Sequence, residues 1–281
     1  MTLLGAKKMA VKVLSDAGIE DSTFEAEQLI MHALGISLSK LRLRYNDELD
    51  ETAKEKIFSL VNRRAERYPL QYIIGEWEFY SLQFKVSEDV LIPRADTELL
   101  VDTALEYIGG ATNIKIIDLC SGSGCVAIAI AANTKDCDIT AAEKYPATLE
   151  LLKENIELNK VKVTPLLCDV LEEPQGEYDL IVSNPPYIKT EVIDTLEKEV
   201  LAEPRVALDG GADGLLFYKA IVERWLPHLK SGGALIVEIG YDQADEVITL
   251  FNNAGLQNVE CKTDINGNQR VIIGTLPFEN C

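Results

Sequence analysis

Histidine is nearly absent from this 281-residue chain: only His32 and His228 occur, far apart, and the six cysteines form no C-x-x-C pair. Zinc sites need clustered Cys and His, and disulfide frameworks need regularly spaced Cys, so the sequence argues against both, and no metal is expected. Cysteines 120, 125, 137, 168, 261 and 281 lie in or beside apolar runs. Most are expected to be small buried side chains in a reducing compartment. No apolar run approaches the ~18 residues of a membrane span. Lysines at 7, 8 and 12 interrupt any signal-peptide core. A cytoplasmic protein without a membrane partner is expected, and a monomer. Basic residues are also scarce, 27 against 46 acidic, for a formal net charge of −19. Residues 1–90 carry 12 basic and 15 acidic side chains, and the remainder 15 and 31. Nucleic-acid binding leans on Lys and Arg neutralising phosphates. A local basic groove is still compatible with such a balance, but direct binding to nucleic acid is not expected.

What is present divides in two. Residues 1–70 read as a small domain of three or four amphipathic helices. "LLGAKKMAVKVLSDAG" stops at Gly18, "STFEAEQLIMHALG" opens on a Ser22–Glu25 capping box, and "DELDETAKEKIFSLVNRRAER" is closed by Pro69. Residues 71–88 alternate and are rich in aromatic and β-branched residues, which fits a β-hairpin or short strands bridging two domains. From residue 89 to 281 strand and helix patterns alternate with short turns. "IKIIDLC", "CDITAAE", "KVTPLLCD", "YDLIVS" and "GALIVEIG" read as strands with helices between them, and "NVECKTD" and "QRVIIGT" flank a hairpin at "INGN". The predicted fold class is α/β: a doubly wound, mostly parallel sheet with a C-terminal antiparallel hairpin, plus the helical domain.

Three motifs carry chemistry. "DLCSGSGCVA", residues 118–127, joins the first strand to the first helix. Glycines there let backbone approach a ligand, and a helix N-terminus offers free N–H groups. Gly122-x-Gly124-x-x-Ala127 also matches a dinucleotide pattern, so a dinucleotide, another nucleoside ligand or a bare βα turn stay open. Glu143 ends the second strand, 19 residues after Gly124, where a carboxylate can accept both ribose hydroxyls. Asp169 ends the third strand; it faces an adenine amino group or caps a turn. The third motif is "VSNPPYIKT", residues 182–190, directly after "YDLIVS". Tandem prolines end a strand abruptly. Asn184 adds a side-chain carbonyl, Pro185 a carbonyl with no competing N–H, and Tyr187 a flat ring. Together they suit a planar –NH₂ group.

The Asn-Pro-Pro-Tyr loop after the fourth strand, combined with the glycine loop after the first, resembles class I S-adenosylmethionine-dependent methyltransferases that modify planar nitrogens. "QYIIGEWEF", "IPRADTE", "EPRVALDGGADGL" and "VEIGYDQ" narrow the resemblance to the peptide chain release factor glutamine N5-methyltransferase family, over about residues 70–275. That family usually has Gly where Cys120 stands, Pro where Ala95 stands, and more often Asp where Glu143 stands. None of the three departures removes a group the reaction needs.

The resemblance implies a seven-stranded methyltransferase sheet, S-adenosyl-L-methionine as cofactor, and a release factor's Gly-Gly-Gln glutamine as substrate. Cys120, Ser121, Gly122, Ser123 and Gly124 would line the methionine end. Glu143 would take the ribose, Asp169 and Val170 would sit by the adenine, and Asn184 would border the cofactor. Asn184, Pro185 and Tyr187 are the expected catalytic residues, with Pro186 and Arg94 also on the substrate side and the helical domain docking the protein. Glutamine methylation of a ribosomal protein, or amino-methylation of a purine base, uses similar chemistry on another acceptor.

Overall fold

The computed structural model describes residues 1–172 and 176–278, which form two compact units. Cys281 lies outside the described residues. The first unit comprises Met1–Glu76 and Glu197–Ala202. Its helices are α1 (Leu3–Asp16), α2 (Ser22–Leu34), α3 (Leu38–Leu43), α4 (Glu51–Ala65) and α5 (Leu70–Ile74). The capping box expected at Ser22 does not form. Asp21 is the N-cap, Ser22 is already helical, and no side chain caps that end. Glu25 is drawn instead to Arg64, whose Nε lies 2.5 Å from its carboxylate. Residues 71–74, expected in a strand, fold as α5. Leu70, Tyr72 and Ile73 are buried on it, and Gly75 ends it in the left-handed conformation at φ +80°.

The second unit, Trp77–Leu196 with Glu203–Cys281, carries the sheet. A hairpin of β1 (Glu76–Phe79) and β2 (Leu82–Lys85) stands apart from it. In chain order follow α6 (Glu98–Ile108), β3 (Lys115–Leu119), α7 (Cys125–Asn133), β4 (Asp138–Glu143), α8 (Pro146–Asn159), β5 (Thr164–Leu167), β6 (Tyr178–Ser183), α9 (Thr190–Ile193), α10 (Lys198–Leu201, in the helical unit), α11 (Leu216–Ala220), β7 (Leu229–Glu238), α12 (Ala244–Asn253), β8 (Gln257–Thr263) and β9 (Gln269–Thr275). The sheet order is β5-β4-β3-β6-β7-β9-β8, parallel except for the antiparallel pairings of β9. This is the expected doubly wound fold with its C-terminal hairpin.

The sheet is buried on both faces, which is why its parallel strands read as continuous apolar runs rather than alternating ones. In β3, Ile116 belongs to the core under α6, α7 and the hairpin phenylalanines, while Ile117 belongs to the opposite core around Trp225 and Phe251. The chain starts at β3, winds outward to β5, then crosses back to β6 on the other side. The carboxyl ends of β3 and β6 therefore flank the topological switch point, where doubly wound sheets bind ligands. The glycine loop leaves β3 at that point and Asn184-Pro185-Pro186-Tyr187 leaves β6.

Asn155 of α8 fixes the hairpin to this end of the sheet. It is fully buried. Its Oδ1 accepts the Lys85 N–H at 2.7 Å, and its Nδ2 donates to the carbonyls of Lys85 and Ser123 at 3.1 and 2.9 Å.

Candidate active site

The cleft at the switch point holds about 750 Å³ of space opening to solvent. Of the residues expected at the cofactor, Cys120, Gly122, Glu143, Asp169, Val170 and Asn184 line it, and so does Pro186. Ser121, Ser123 and Gly124 stand behind the wall and shape the loop. Ser121 Oγ donates to the Asp118 carbonyl at 2.9 Å, and Gly124 has φ +81° where it opens α7. Asp118 itself is buried, and its Oδ2 accepts the Ala127 N–H at 3.2 Å, capping α7 from below. Burial pushes its carboxyl up to about 7.

Cys120 has φ +58°, in the left-handed region that favours glycine. This is the position where the resembled family has Gly, so the departure carries a backbone strain. Its thiol is held well above its ordinary range by burial first, and then by the negative charges of Glu143 and Asp118. Of the five described cysteines only Cys125 is buried. The others are half-buried, a correction to the expectation for most of them: Cys120 and Cys168 face the cleft, and Cys261 lies on edge strand β8.

Glu143 is buried at the end of β4. Its two oxygens accept the Gly122 and Tyr145 N–H groups at 3.0 and 2.9 Å, which ties the glycine loop to β4 and fixes the carboxylate. Each oxygen keeps a lone pair for a further donor. Asp169 does cap a turn: Oδ1 accepts the Leu171 N–H at 2.9 Å, while Oδ2 pairs with Lys144 at 2.7 Å. Val170 is held in the wall by Trp225, whose Nε1 donates to its carbonyl at 2.9 Å. Trp225 ends a π-helical turn, Ile221–Trp225, a local irregularity that recurs at functional sites.

At the end of β6, Asn184 is half-buried and Pro185 and Pro186 are buried. Asn184 Nδ2 donates to Thr97 Oγ1 at 3.1 Å, which commits the amine and leaves Oδ1 for an incoming donor. Tyr187 is largely buried, and desolvation first, with the Glu238 charge, holds its hydroxyl well above the ordinary range. Its backbone carbonyl accepts from Gln243 Nε2 at 3.0 Å. Glycine is required beneath it. A Cβ on Gly210 would lie 2.7 Å from Tyr187 Cα, and one on Gly214 would lie 2.6 Å from the Tyr187 carbonyl oxygen. Pro185 and Tyr187 are not among the lining residues, and neither is Arg94, whose guanidinium pairs with Glu203. Glu203 also accepts the Ile92 N–H at 3.0 Å, so the two segments are fastened together.

Thr97, Gln243, Trp225 and Glu238 support the site and escaped the sequence reading. Their signal was present: three of the four lie inside or beside "IPRADTE" and "VEIGYDQ", segments whose only assigned residue was Arg94.

Residues 6–75 match the family model described as the PrmC N-terminal domain, and residues 95–219 match the methyltransferase small domain. A release factor glutamine methyltransferase of Geobacter sulfurreducens is 40% identical over 266 residues, covering 94% of this chain and 93% of its own. The chain belongs to the release factor glutamine methyltransferase family. The enzyme of the same description from Clostridium botulinum is 40% identical over 270 residues, 92% of this family member and 94% of its own length. Among solved structures, a methyltransferase from Pyrococcus furiosus superposes with a TM-score of 0.53 at 16% identity over 71% of this family member and 91% of that chain. The hMettl16 catalytic domain gives 0.55 at 14% identity over 82% and 83%. At such identities the two structures speak for the fold alone. No helix of this family member is long and apolar enough to cross a membrane among the described residues.

Proposed function

We propose that this chain methylates the side-chain amide nitrogen, N5, of the glutamine in the Gly-Gly-Gln motif of peptide chain release factors, with S-adenosyl-L-methionine as methyl donor. One observation carries the reading: Asn184, its amine committed to Thr97, stands in the wall of the same cleft as Glu143 and the glycine loop. The residues present fit the donor. Glu143 offers fixed acceptors suited to a ribose diol, Leu119, Val90 and Val170 give apolar walls for a base, and Cys120 and Gly122 border the remaining space. Bound there, S-adenosyl-L-methionine supplies an electrophilic methyl group on a sulfonium.

The rest falls to the chain. An amide nitrogen is a poor nucleophile because its lone pair is delocalised into the carbonyl. Asn184 Oδ1 and the Pro185 carbonyl accept its two N–H bonds and so orient it. Both acceptors face the positive charge that develops on nitrogen, and being preorganised they need no rearrangement to stabilise it. Orientation in such a site contributes up to ~7–11 kcal/mol. Tyr187 packs against the amide plane. Once alkylated the nitrogen is strongly acidic and loses its proton to solvent, so no dedicated base is needed. Tyr187→Ala should therefore lose far more turnover than Tyr187→Phe, because the ring and not the hydroxyl carries the role. Equal losses in steady-state assays would count against the packing role.

The helical unit is the docking surface for the protein substrate in this reading. The cleft reads one side chain, whereas a stable protein interface needs ~800 Å² per partner. Phe24 and Leu43 are 49% and 86% exposed on that unit. Phe24→Glu with Leu43→Glu should raise KM for the whole release factor and leave KM for a short Gly-Gly-Gln peptide unchanged; a parallel rise in both would speak against docking there.

The acceptor itself is tested with labelled methyl donor offered to purified release factor, to ribosomal proteins and to total nucleic acid. Label is expected in the release factor. Label confined to either of the others would overturn the assignment.

A further inference from the structure

We propose that Glu238 is a positioning residue for methyl transfer: its buried carboxylate, beside Asn184 across the β6–β7 edge, receives the Asn184 amine and the Thr97 hydroxyl and so turns the Asn184 oxygen toward the substrate amide. The inference rests on the role given to Asn184 above.

Strand register makes the two residues neighbours. Ser183 of β6 pairs with Val237 of β7, so the next position on each strand is Asn184 and Glu238. Glu238 and Thr97 are each 2% exposed. The Thr97 and Asn184 side chains both stand near enough to the Glu238 carboxyl to favour its charged form, and Asn184 Nδ2 reaches Thr97 Oγ1 at 3.1 Å. Glu238 Oε2 is buried without a hydrogen-bond partner among the described residues. A carboxylate desolvated in this way is costly, and an apolar side chain would fill the space more cheaply. What it supplies is direction. The two ends of an asparagine amide are nearly alike in shape, so packing alone does not decide which faces the substrate. An acceptor behind it decides, because only the amine can donate.

The surroundings bear on its charge. Arg270 favours the ionised form and Asp96 opposes it, and those two pair with each other at 2.9 Å; Asp264 also reaches Arg270, at 3.4 Å. The Glu238 charge also acts on the Tyr187 hydroxyl, where Arg270 and Arg94 act in the opposite sense. Tyr218 donates its hydroxyl to the Glu238 backbone carbonyl at 2.9 Å. Burial outweighs these influences and pushes the carboxyl up to about 7. Above that pH Glu238 is an anion and accepts from Asn184. Below it the group carries a proton, becomes a donor and weakens its hold on the amine. Turnover should therefore fall as the pH drops through about 7.

The test uses the full chain, a release factor and labelled methyl donor from pH ~5.5 to ~8.5. Wild-type kcat should fall about tenfold through that pH range and then level off on the acid side. Glu238→Gln keeps the shape and loses the charge; it should lower kcat about tenfold at the alkaline end, where charge-assisted bonds are the stronger ones, and abolish the acid limb, with cofactor Kd unchanged. Thr97→Val removes the hydroxyl that favours the anion and should move the limb to higher pH. Wild-type kcat in Glu238→Gln, or an acid limb that survives the substitution, overturns the proposal. Should Glu238→Gln fail to fold, a limb left unshifted by Thr97→Val overturns it. A wild-type chain that transfers no methyl to a release factor sinks the acceptor reading, and this inference with it; wild-type transfer alongside an unaffected Glu238→Gln sinks this inference alone.

Discussion

Asn184→Ala should lose about 10²–10³-fold in kcat for methyl transfer, the cost of removing one preorganised polar group from a transition state, while cofactor Kd rises by less than tenfold. The asymmetry follows from where Asn184 sits. It lies at the end of β6 with its amine held by Thr97, whereas the cofactor side of the cleft is built by β3, β4 and their loops. The substitution removes the Oδ1 acceptor and leaves the rest of the wall standing, because the backbone of the motif is fastened independently. Gln243 holds the Tyr187 carbonyl, and Gly210 N donates to the Ile188 carbonyl at 2.8 Å. Calorimetric titration of the cofactor beside steady-state assays separates the two effects. Near-normal turnover in Asn184→Ala would show that the acceptor role belongs elsewhere.

Arg64→Ala should cost about 3–5 kcal/mol of stability, the usual result of leaving buried partner charges uncompensated. Arg64 is 6% exposed, with Nε 2.5 Å from Glu25 and Nη1 3.1 Å from Glu199. Removing it strands the Glu25 carboxylate and leaves Glu199 to Arg67 alone, with Glu199 Oε2 already lacking a partner among the described residues. Arg67 provides the control. It also reaches Glu199, at 2.6 Å, but its side chain is 28% exposed. Arg67→Ala should cost less than ~1 kcal/mol, as for solvated pairs. Urea melts of both variants decide the matter, and equal losses would mean that burial of Arg64 is not what makes its pairs count.

The strands were legible because a sheet covered on both faces must be built from unbroken apolar runs. "YDLIVS" is β6 residue for residue, and its proline-rich exit and the glycine loop meet at the switch point as the strand order requires. Glu143 was legible for the same reason, since strand ends at that edge face ligand. Support from distant segments was not. Nothing local marks Thr97 as the partner of Asn184, 87 residues away, or Trp225 as the holder of Val170, 55 residues away. Asn155 reads as a plain polar residue of an amphipathic helix until the hairpin is seen to close on it. Two local readings failed through competition. Ser22 lost its cap because Glu25 serves Arg64, and the run at 71–74 alternates like a strand yet buries Leu70, Tyr72 and Ile73 as a helical turn. Cys120 went the other way: its departure from the resembled family gained meaning only from its backbone angle.

Fragment mass spectrometry of a release factor methylated by the wild-type chain tests the central claim most directly. The cleft is read as a holder for a planar –NH₂, so one added methyl group should map to the glutamine of Gly-Gly-Gln, on its side-chain nitrogen, and should be missing after incubation with Asn184→Ala. A methyl group on any other residue, or equal labelling of that glutamine by Asn184→Ala, would contradict it.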